Sequence, residues 1–232
     1  MAADPIYDTI HEAVLDHRLP PGTKLKEVAL AELFGVTRPV IRKVLLRLAH
    51  IKLVVIRPNR GAIVASPTAE ESRDLFGARC AIETAVVRSL TSKITREQIN
   101  ELRTMIAREQ DTYRGGDTRA GLRLSVEFHR VLARLAGNAV LGEFLDQLLS
   151  RTPLVVLAHQ GQRRERICNL DEHSEILDAM ADREAERAVR LMREHLDSLQ
   201  GMLNLQQDGK QDTDLAQIFR LMKAGPGIAK GA

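Results

Sequence analysis

Apolar positions recur at close to helical spacing through most of this chain, and at one place the pattern changes. Ile6, Ile10, Ala13, Val14 and Leu19 predict a first helix over PIYDTIHEAVLDHRL. LPPGTKL stops it with Pro and Gly. Val28, Leu30, Ala31, Leu33 and Phe34 predict a short second helix, closed by Gly35 as a C-terminal cap. Thr37 is the expected N-cap of a third helix, with Pro39 in the first turn, where a missing N–H costs least. That helix would bury Ile41, Val44, Leu45 and Leu48. A short helix, a tight turn and a second helix make a helix-turn-helix outline. Then two β-branched runs, LVVI and AIVA, flank RPNRG, which is the signature of a hairpin. A hairpin directly after a helix-turn-helix is a wing.

Beyond Ser66 the pattern is helical throughout. Thr68 followed by Glu71 is a capping-box signal. Helices are expected near 69–91, 95–114, 117–136, 139–159, 170–181 and 183–206, with a break from Gln160 to Asn169. The fold class that follows is mostly α: an N-terminal winged helix-turn-helix, then an antiparallel all-α helical bundle. The expected domains are 1–66 for the winged unit, 67–69 for a linker, 70–207 for the bundle and 208–232 for a polar tail. The tail carries a brief amphipathic patch (Leu215, Ile218, Phe219, Met222), and its last residues are expected to be disordered.

Charge sharpens the first half. The formal net charge is only +3 over 232 residues. Residues 1–66 hold ten Lys/Arg against six Asp/Glu, while the remainder holds 24 against 25. From Arg38 to Arg60 there are seven basic residues and no acidic one. A helix that needed only solubility would mix signs on its wet face. A solvated basic face on a packing domain is the bland alternative. Helix-turn-helix, wing and acid-free run together favour a double-stranded DNA footprint, with the second helix in the major groove and the wing tip at phosphates or a minor groove. Arg38 and Arg42 share a helix face, with Lys43 and Arg47 further round, and Arg57 and Arg60 sit at the wing tip.

These residues carry a family resemblance. PGTKLKEVALAELFGVTRPVIRKVLLRLAH, followed by RPNRGAIVA, resembles the winged helix-turn-helix of GntR-type bacterial regulators. The resemblance implies Thr37, Arg38 and Arg42 near bases or phosphates, and Arg57, Asn59, Arg60 and Gly61 at the wing. Departures occur at Lys43, where the family usually has an acid, and at Lys52, where it usually has Gly. The helix-start Pro39 also lies one residue early.

In the bundle, His129 shares an inward stripe with Leu122, Ser125, Leu132 and Ala136. His173 does so with Leu170, Leu177 and Met180, and His195 with Ala188, Leu191, Leu199 and Met202. Each alone is best explained as a satisfied core histidine. Three inward imidazoles on three helices raise convergence on a metal ion as an alternative. EFHRVLARLAGN, DEHSEILDAMADREAERAVRLMREHL and GARCAIETAV resemble the FCD ligand-binding domain of the FadR-like GntR branch. That resemblance implies a divalent transition metal, Zn or Ni, held by His129, His173 and His195. The fourth ligand position of the family, an Asp or Asn, is Ser125 here, and a neutral hydroxyl is a poor ligand for such ions. Arg79 and Glu83 lie one turn apart, either as an internal ion pair or with Arg79 clamping an effector carboxylate. Arg151 is a further pocket candidate, and His159 is expected at a helix end.

The expected function is a transcription regulator acting as a homodimer on an inverted-repeat operator and modulated by a small carboxylate effector, with repression as what the family resemblance implies. A direct metal sensor and a metal-dependent hydrolase are the alternatives. No general base is fixed near the histidines by sequence, which argues against an enzyme. Cys80 and Cys168 form no CxxC pair, no apolar run is long enough for a membrane span, and no signal-peptide pattern opens the chain. A cytoplasmic, membrane-free location is expected.

Overall fold

The computed structural model describes residues 3–16, 18–58, 61–159 and 171–203. Asn59, Arg60, the whole 160–169 break with Cys168, Leu170 and residues 204–232, including the expected tail, lie outside the described residues. The chain divides into two compact units, the first ending at Ser66 and the second starting at Pro67.

The first unit contains α1 (Ala3–Leu15), β1 (Lys24–Leu25), α2 (Glu27–Phe34), α3 (Arg38–His50), β2 (Val54–Arg57) and β3 (Gly61–Val64). Its core is built from Ile10, Val14, Leu19, Leu30, Ile41, Val44, Leu45, Leu48 and Leu53, all buried. Gly35 caps α2 in the left-handed conformation at φ 64°, and Thr37 enters α3 with extended backbone but no side-chain cap bond. β2 and β3 form the expected antiparallel hairpin, with Val54 opposite Val64 and Arg57 opposite Gly61. A third strand accompanies it. β1 pairs with β3, Lys24 opposite Ile63 and Leu25 opposite Ala62, giving the order β1-β3-β2.

Two backbone positions in this unit are demanding. Gly61 has φ 80°, and a β-carbon there would lie 2.5 Å from the Leu25 carbonyl oxygen. Its lack of a side chain is what lets β1 close on the hairpin. Lys52 has φ 62°. A residue with a β-carbon pays about 1–2 kcal/mol in that region, and this is the position where the regulators it resembles carry Gly.

The second unit is a helical bundle of α4 (Ala69–Thr91), α5 (Arg96–Arg114), α6 (Thr118–Ala136), α7 (Ala139–His159), α8 (Glu172–Ala181) and α9 (Ala185–Gly201). Capping boxes start α4 at Thr68 and Glu71, and α5 at Thr95 and Gln98. The Asp117 side chain accepts from Ala120 N–H at the start of α6, and Gly137 ends that helix at φ 73°. α4 lies against α6, α7 and α9, while α5 lies against α6 and α8. Phe76, Val87, Leu90, Phe128, Leu149, Ile176, Leu177, Met180, Met192 and Leu196 fill the space between them. Each helix hides one apolar stripe, and the few polar groups on those stripes become the chemistry of the interior.

Candidate functional site

The buried polar residues of the bundle are not scattered. His129 on α6, His173 on α8 and His195 on α9 are each at most 4% exposed. Their Nε2 atoms turn toward one another, 3.2 Å apart for His173 and His195 and 3.3 Å apart for His195 and His129. Each ring presents its other nitrogen to a different carboxylate. His173 Nδ1 donates to Glu109 Oε2 at 2.8 Å, and His195 Nδ1 donates to Glu172 Oε2 at 2.7 Å. His129 Nδ1 meets Glu83 Oε2. Phe128 stacks against the His173 ring with centroids 4.4 Å apart.

The hydrogen bonds assign the protons. An ionised carboxylate only accepts, so the Nδ1 atoms of His173 and His195 carry the hydrogens that face Glu109 and Glu172. Burial pushes the His129 imidazolium pKa down, against the pull of Glu83. Burial lowers His195 well below the usual histidine value, and the neighbouring His173, His129 and Arg79 add to this. Both rings are therefore neutral at pH 7. The Nε2 atoms of the three rings converge on one small volume. An array of that kind suits a cation. With metal–nitrogen bonds of about 2.0–2.1 Å, two ligands of a tetrahedral ion sit about 3.3 Å apart. The spacings seen here match that edge, so the residues present fit such an ion.

Arg79 is joined to this cluster through Glu83. Arg79 Nε donates to Glu83 Oε1 at 2.8 Å, with both side chains 1–2% exposed. Burial alone would raise the Glu83 carboxyl, but the Arg79 guanidinium and His129 pull it down to about 2. Arg79 Nη1 reaches Thr152 Oγ1 on α7 at 3.4 Å, and Nη2 has no partner among the described residues. The ion pair expected between Arg79 and Glu83 is thus present, and one guanidinium N–H group remains unspent beside it. Ser125 is buried one turn before His129. Arg151 is half-buried on α7. The α7 residue that meets Arg79 is its neighbour Thr152.

Sequence reasoning found the three histidines but not Glu109, Glu172 or Thr152. Glu109 had a signal: it continues the stripe of Leu102 and Ile106 on α5, where an apolar residue would be expected. His159 ends α7, with Nε2 2.9 Å from the Pro67 carbonyl. Glu127 is engaged with Arg130 and Arg134.

The first unit gathers a second group. Arg38, Arg42, Arg57 and Gly61 line an open groove of about 760 Å³ together with Lys24, Lys26, Glu27, Val28, Ile56 and Pro58. Lys24 in β1 and Lys26 just after it extend the basic set. Glu27 holds two of the arginines: Arg42 binds it through Nε at 2.9 Å and Nη2 at 3.0 Å, and Arg38 lies 3.5 Å away. The Arg42 hydrogen bond keeps the Glu27 carboxyl below its ordinary value. Thr37 and Lys43 are exposed at the start and on the outer face of α3. Arg47 turns toward α1, pairing with Asp4 at 2.6 Å and lying 4.2 Å over the Tyr7 ring.

Comparison with known proteins matches both units. The family described as bacterial regulatory proteins, gntR family, matches residues 2–64, and the FCD domain matches residues 74–198. The HTH-type transcriptional repressor RspR of Escherichia coli (strain K12) is 25% identical over 84% of this chain and 85% of its own length. The HTH-type transcriptional repressor NanR of Klebsiella aerogenes is 29% identical over 75% of this chain and 74% of its own. Among solved structures, a putative transcriptional regulator GntR from Rhodococcus sp. RHA1 superposes with a TM-score of 0.76 at 24% identity, covering 86% of this chain and 95% of that one. E. coli McbR/YncC does so with a TM-score of 0.74 at 16% identity, covering 96% and 99%. Among the described residues no helix is long and apolar enough to cross a membrane. The chain belongs to the gntR family of bacterial regulatory proteins, in the branch that carries an FCD domain, and is a transcriptional regulator rather than an enzyme.

Proposed function

We propose that this regulator is a repressor whose operator affinity is set by a small carboxylate bound beside a divalent metal ion in the bundle. His129, His173 and His195 hold the ion, Zn²⁺ or Ni²⁺, as three neutral nitrogen ligands. The observation that carries this reading is the convergence of their Nε2 atoms, with a different carboxylate at the Nδ1 of each ring. The buried, unpartnered Arg79 Nη2 supports an anionic ligand close by. Ser125 and Arg151 complete the proposed effector set, and Thr152 joins it as the α7 group in contact with Arg79.

The DNA face is Thr37, Arg38, Arg42, Lys43 and Arg47 on α3, with Arg57, Asn59, Arg60 and Gly61 at the wing. A homodimer would address the two halves of an inverted repeat, because protein two-fold symmetry maps onto DNA symmetry. The chain then works in a cytoplasm, where the operator is.

The test is a carboxylic-acid library screened by thermal shift on metal-loaded protein, then titration of each hit with and without operator. Operator affinity is expected to change roughly 5–150-fold at saturating effector, and effector affinity by the same factor when operator is present. A hit that stabilises His129→Ala as well as wild type places the effector elsewhere. Operator affinity that responds to the ion alone, with no hit required, favours the direct metal sensor.

A further inference from the structure

We infer that Glu83, Glu109 and Glu172 form an outer ring that positions and charge-balances a divalent ion, making up for the carboxylate that Ser125 does not supply. The inference rests on the metal reading above and goes one layer further out.

The first ground is geometry. Three carboxylates from α4, α5 and the start of α8 each address the Nδ1 of one histidine, and no carboxylate serves two rings. A carboxylate behind a ligating imidazole does two things. It fixes the tautomer, so that the Nε2 lone pair faces the ion. It also increases the electron density that nitrogen offers. Here all three rings have such a partner, so the whole ligand set is pre-aimed. Without these partners each ring could place its proton on Nε2 instead and present a donor where a lone pair is needed.

The second ground is charge. Three neutral imidazoles bring no charge to a doubly positive ion, and Ser125 brings none either. Burying that ion uncompensated would be costly. When ionised, the outer ring carries three negative charges, Glu172 against the upward push of its partial burial, and Arg79, bonded to Glu83, carries one positive. The surplus is two negative charges around the point where the Nε2 atoms meet, the charge of one divalent ion with the opposite sign. The ring lies behind the imidazoles rather than on the ion. Positions on the ion's open side are therefore left for a ligand, while the local charge is already balanced.

Glu109 and Glu172 are the informative members. Glu83 also holds Arg79, so changing it disturbs two partners at once. Glu109 is buried, and its carboxylate meets His173. Glu172 is only partly buried, so Glu172→Gln is not expected to stop the chain folding. Glutamine keeps the shape and an accepting oxygen but removes the charge.

The experiment strips the full-length protein of metal by chelation, then titrates Co²⁺ in competition with a chelating dye, following the visible absorption of bound Co²⁺. Wild type, Glu109→Gln, Glu172→Gln and the triple His129→Ala, His173→Ala, His195→Ala variant are compared. Each Gln variant is expected to bind Co²⁺ about 10–100-fold more weakly than wild type, with the absorption bands kept, because the three nitrogen ligands are unchanged. Metal-free unfolding midpoints are recorded alongside. Gln variants that bind Co²⁺ as tightly as wild type overturn the inference, whatever their stability, and leave the metal reading standing. Bands that move as they would on loss of a ligand also overturn it, because the carboxylate would then sit on the ion. Equal Co²⁺ uptake by wild type and the triple variant removes the metal reading itself.

Discussion

The two units use the same ingredients, a guanidinium and a carboxylate, to opposite ends. In the first unit Arg42 is bidentate to Glu27, and Arg47 is bonded to Asp4, with the arginine side chains 63% and 41% exposed. In the bundle Arg79 and Glu83 are 1–2% exposed. Exposed pairs contribute little, because water and salt replace the partner easily. Such arginines can leave their carboxylates for DNA phosphates or base edges at small cost. A buried pair has no such replacement. Its charges change company only when another charge arrives, which suits a place where a ligand is to be sensed. The first unit is built to exchange partners, and the bundle to hold them until an ion or an anion alters the balance.

The sharpest way to break that comparison is to remove one arginine from each unit. Arg79→Met leaves Glu83 buried beside His129 without its counter-charge. Urea unfolding of the bundle is expected to show a loss of about 3–5 kcal/mol. Arg42→Met, measured the same way, is expected to leave the midpoint of the first unit close to wild type. Equal losses in the two variants would mean that burial does not separate the pairs.

A second test concerns what holds the groove itself. Gly61→Ala puts a β-carbon 2.5 Å from the Leu25 carbonyl at a residue with φ 80°. Left-handed backbone and a clash with main chain together are expected to cost the first unit about 2 kcal/mol or more. Urea unfolding should report that loss with the bundle transition unmoved. If the groove depends on β1 closing on the wing, operator affinity falls along with stability. A variant that loses stability but not affinity would show that Lys24 and Lys26 do not belong to the DNA face.

Third is the exchange itself. Arg42→Ala is expected to weaken binding to a selected operator about tenfold to a hundredfold, if the guanidinium gives up Glu27 for a bidentate base contact. Binding to unrelated duplex should change far less. Lys24→Ala and Lys26→Ala are expected instead to weaken all sequences alike and to flatten the dependence on salt. Arg42→Ala with unchanged operator affinity would put the footprint elsewhere on the first unit.

How much of this could be read in the chain differs between the units for a physical reason. Helix positions were legible from periodicity, because burial of one stripe is a local pattern: Ile41, Val44, Leu45 and Leu48 announce the face of α3. The hairpin was legible from β-branched runs around a turn. β1 was not, since a strand of two residues has no alternation and exists only by pairing with β3. His129, His173 and His195 were visible because a polar residue on an inward stripe breaks the pattern. Glu172 was invisible, because it precedes His173 on α8 yet serves His195 on α9. Which carboxylate meets which ring is decided by how α4, α5, α8 and α9 lie together, and no spacing within one helix encodes that. Lys52 was noticed as a departure from a family glycine, and its φ of 62° supplies the reason glycine is preferred there.

The smallest expected effect is a titration. The Arg42 hydrogen bond holds the Glu27 carboxyl below its usual 4.5, against the opposing effect of partial burial, with Arg38 helping. In the unfolded chain the ordinary value returns. A carboxyl whose folded value is depressed stabilises the fold above its unfolded pKa. It loses that contribution as pH falls from about 4.5 through the lowered folded value. Thermal melts of the first unit between neutral and acid pH should therefore show a shallow loss on the acid side. Glu27→Gln is expected to remove part of that slope while leaving the neutral midpoint nearly unchanged, because an exposed arginine finds water when its partner goes. The same variant takes a negative charge out of the groove, so its affinity for unrelated duplex at low salt should rise slightly. If Glu27→Gln instead unfolds the first unit at neutral pH, the pair is structural, and the contrast between exchangeable and held charges is lost.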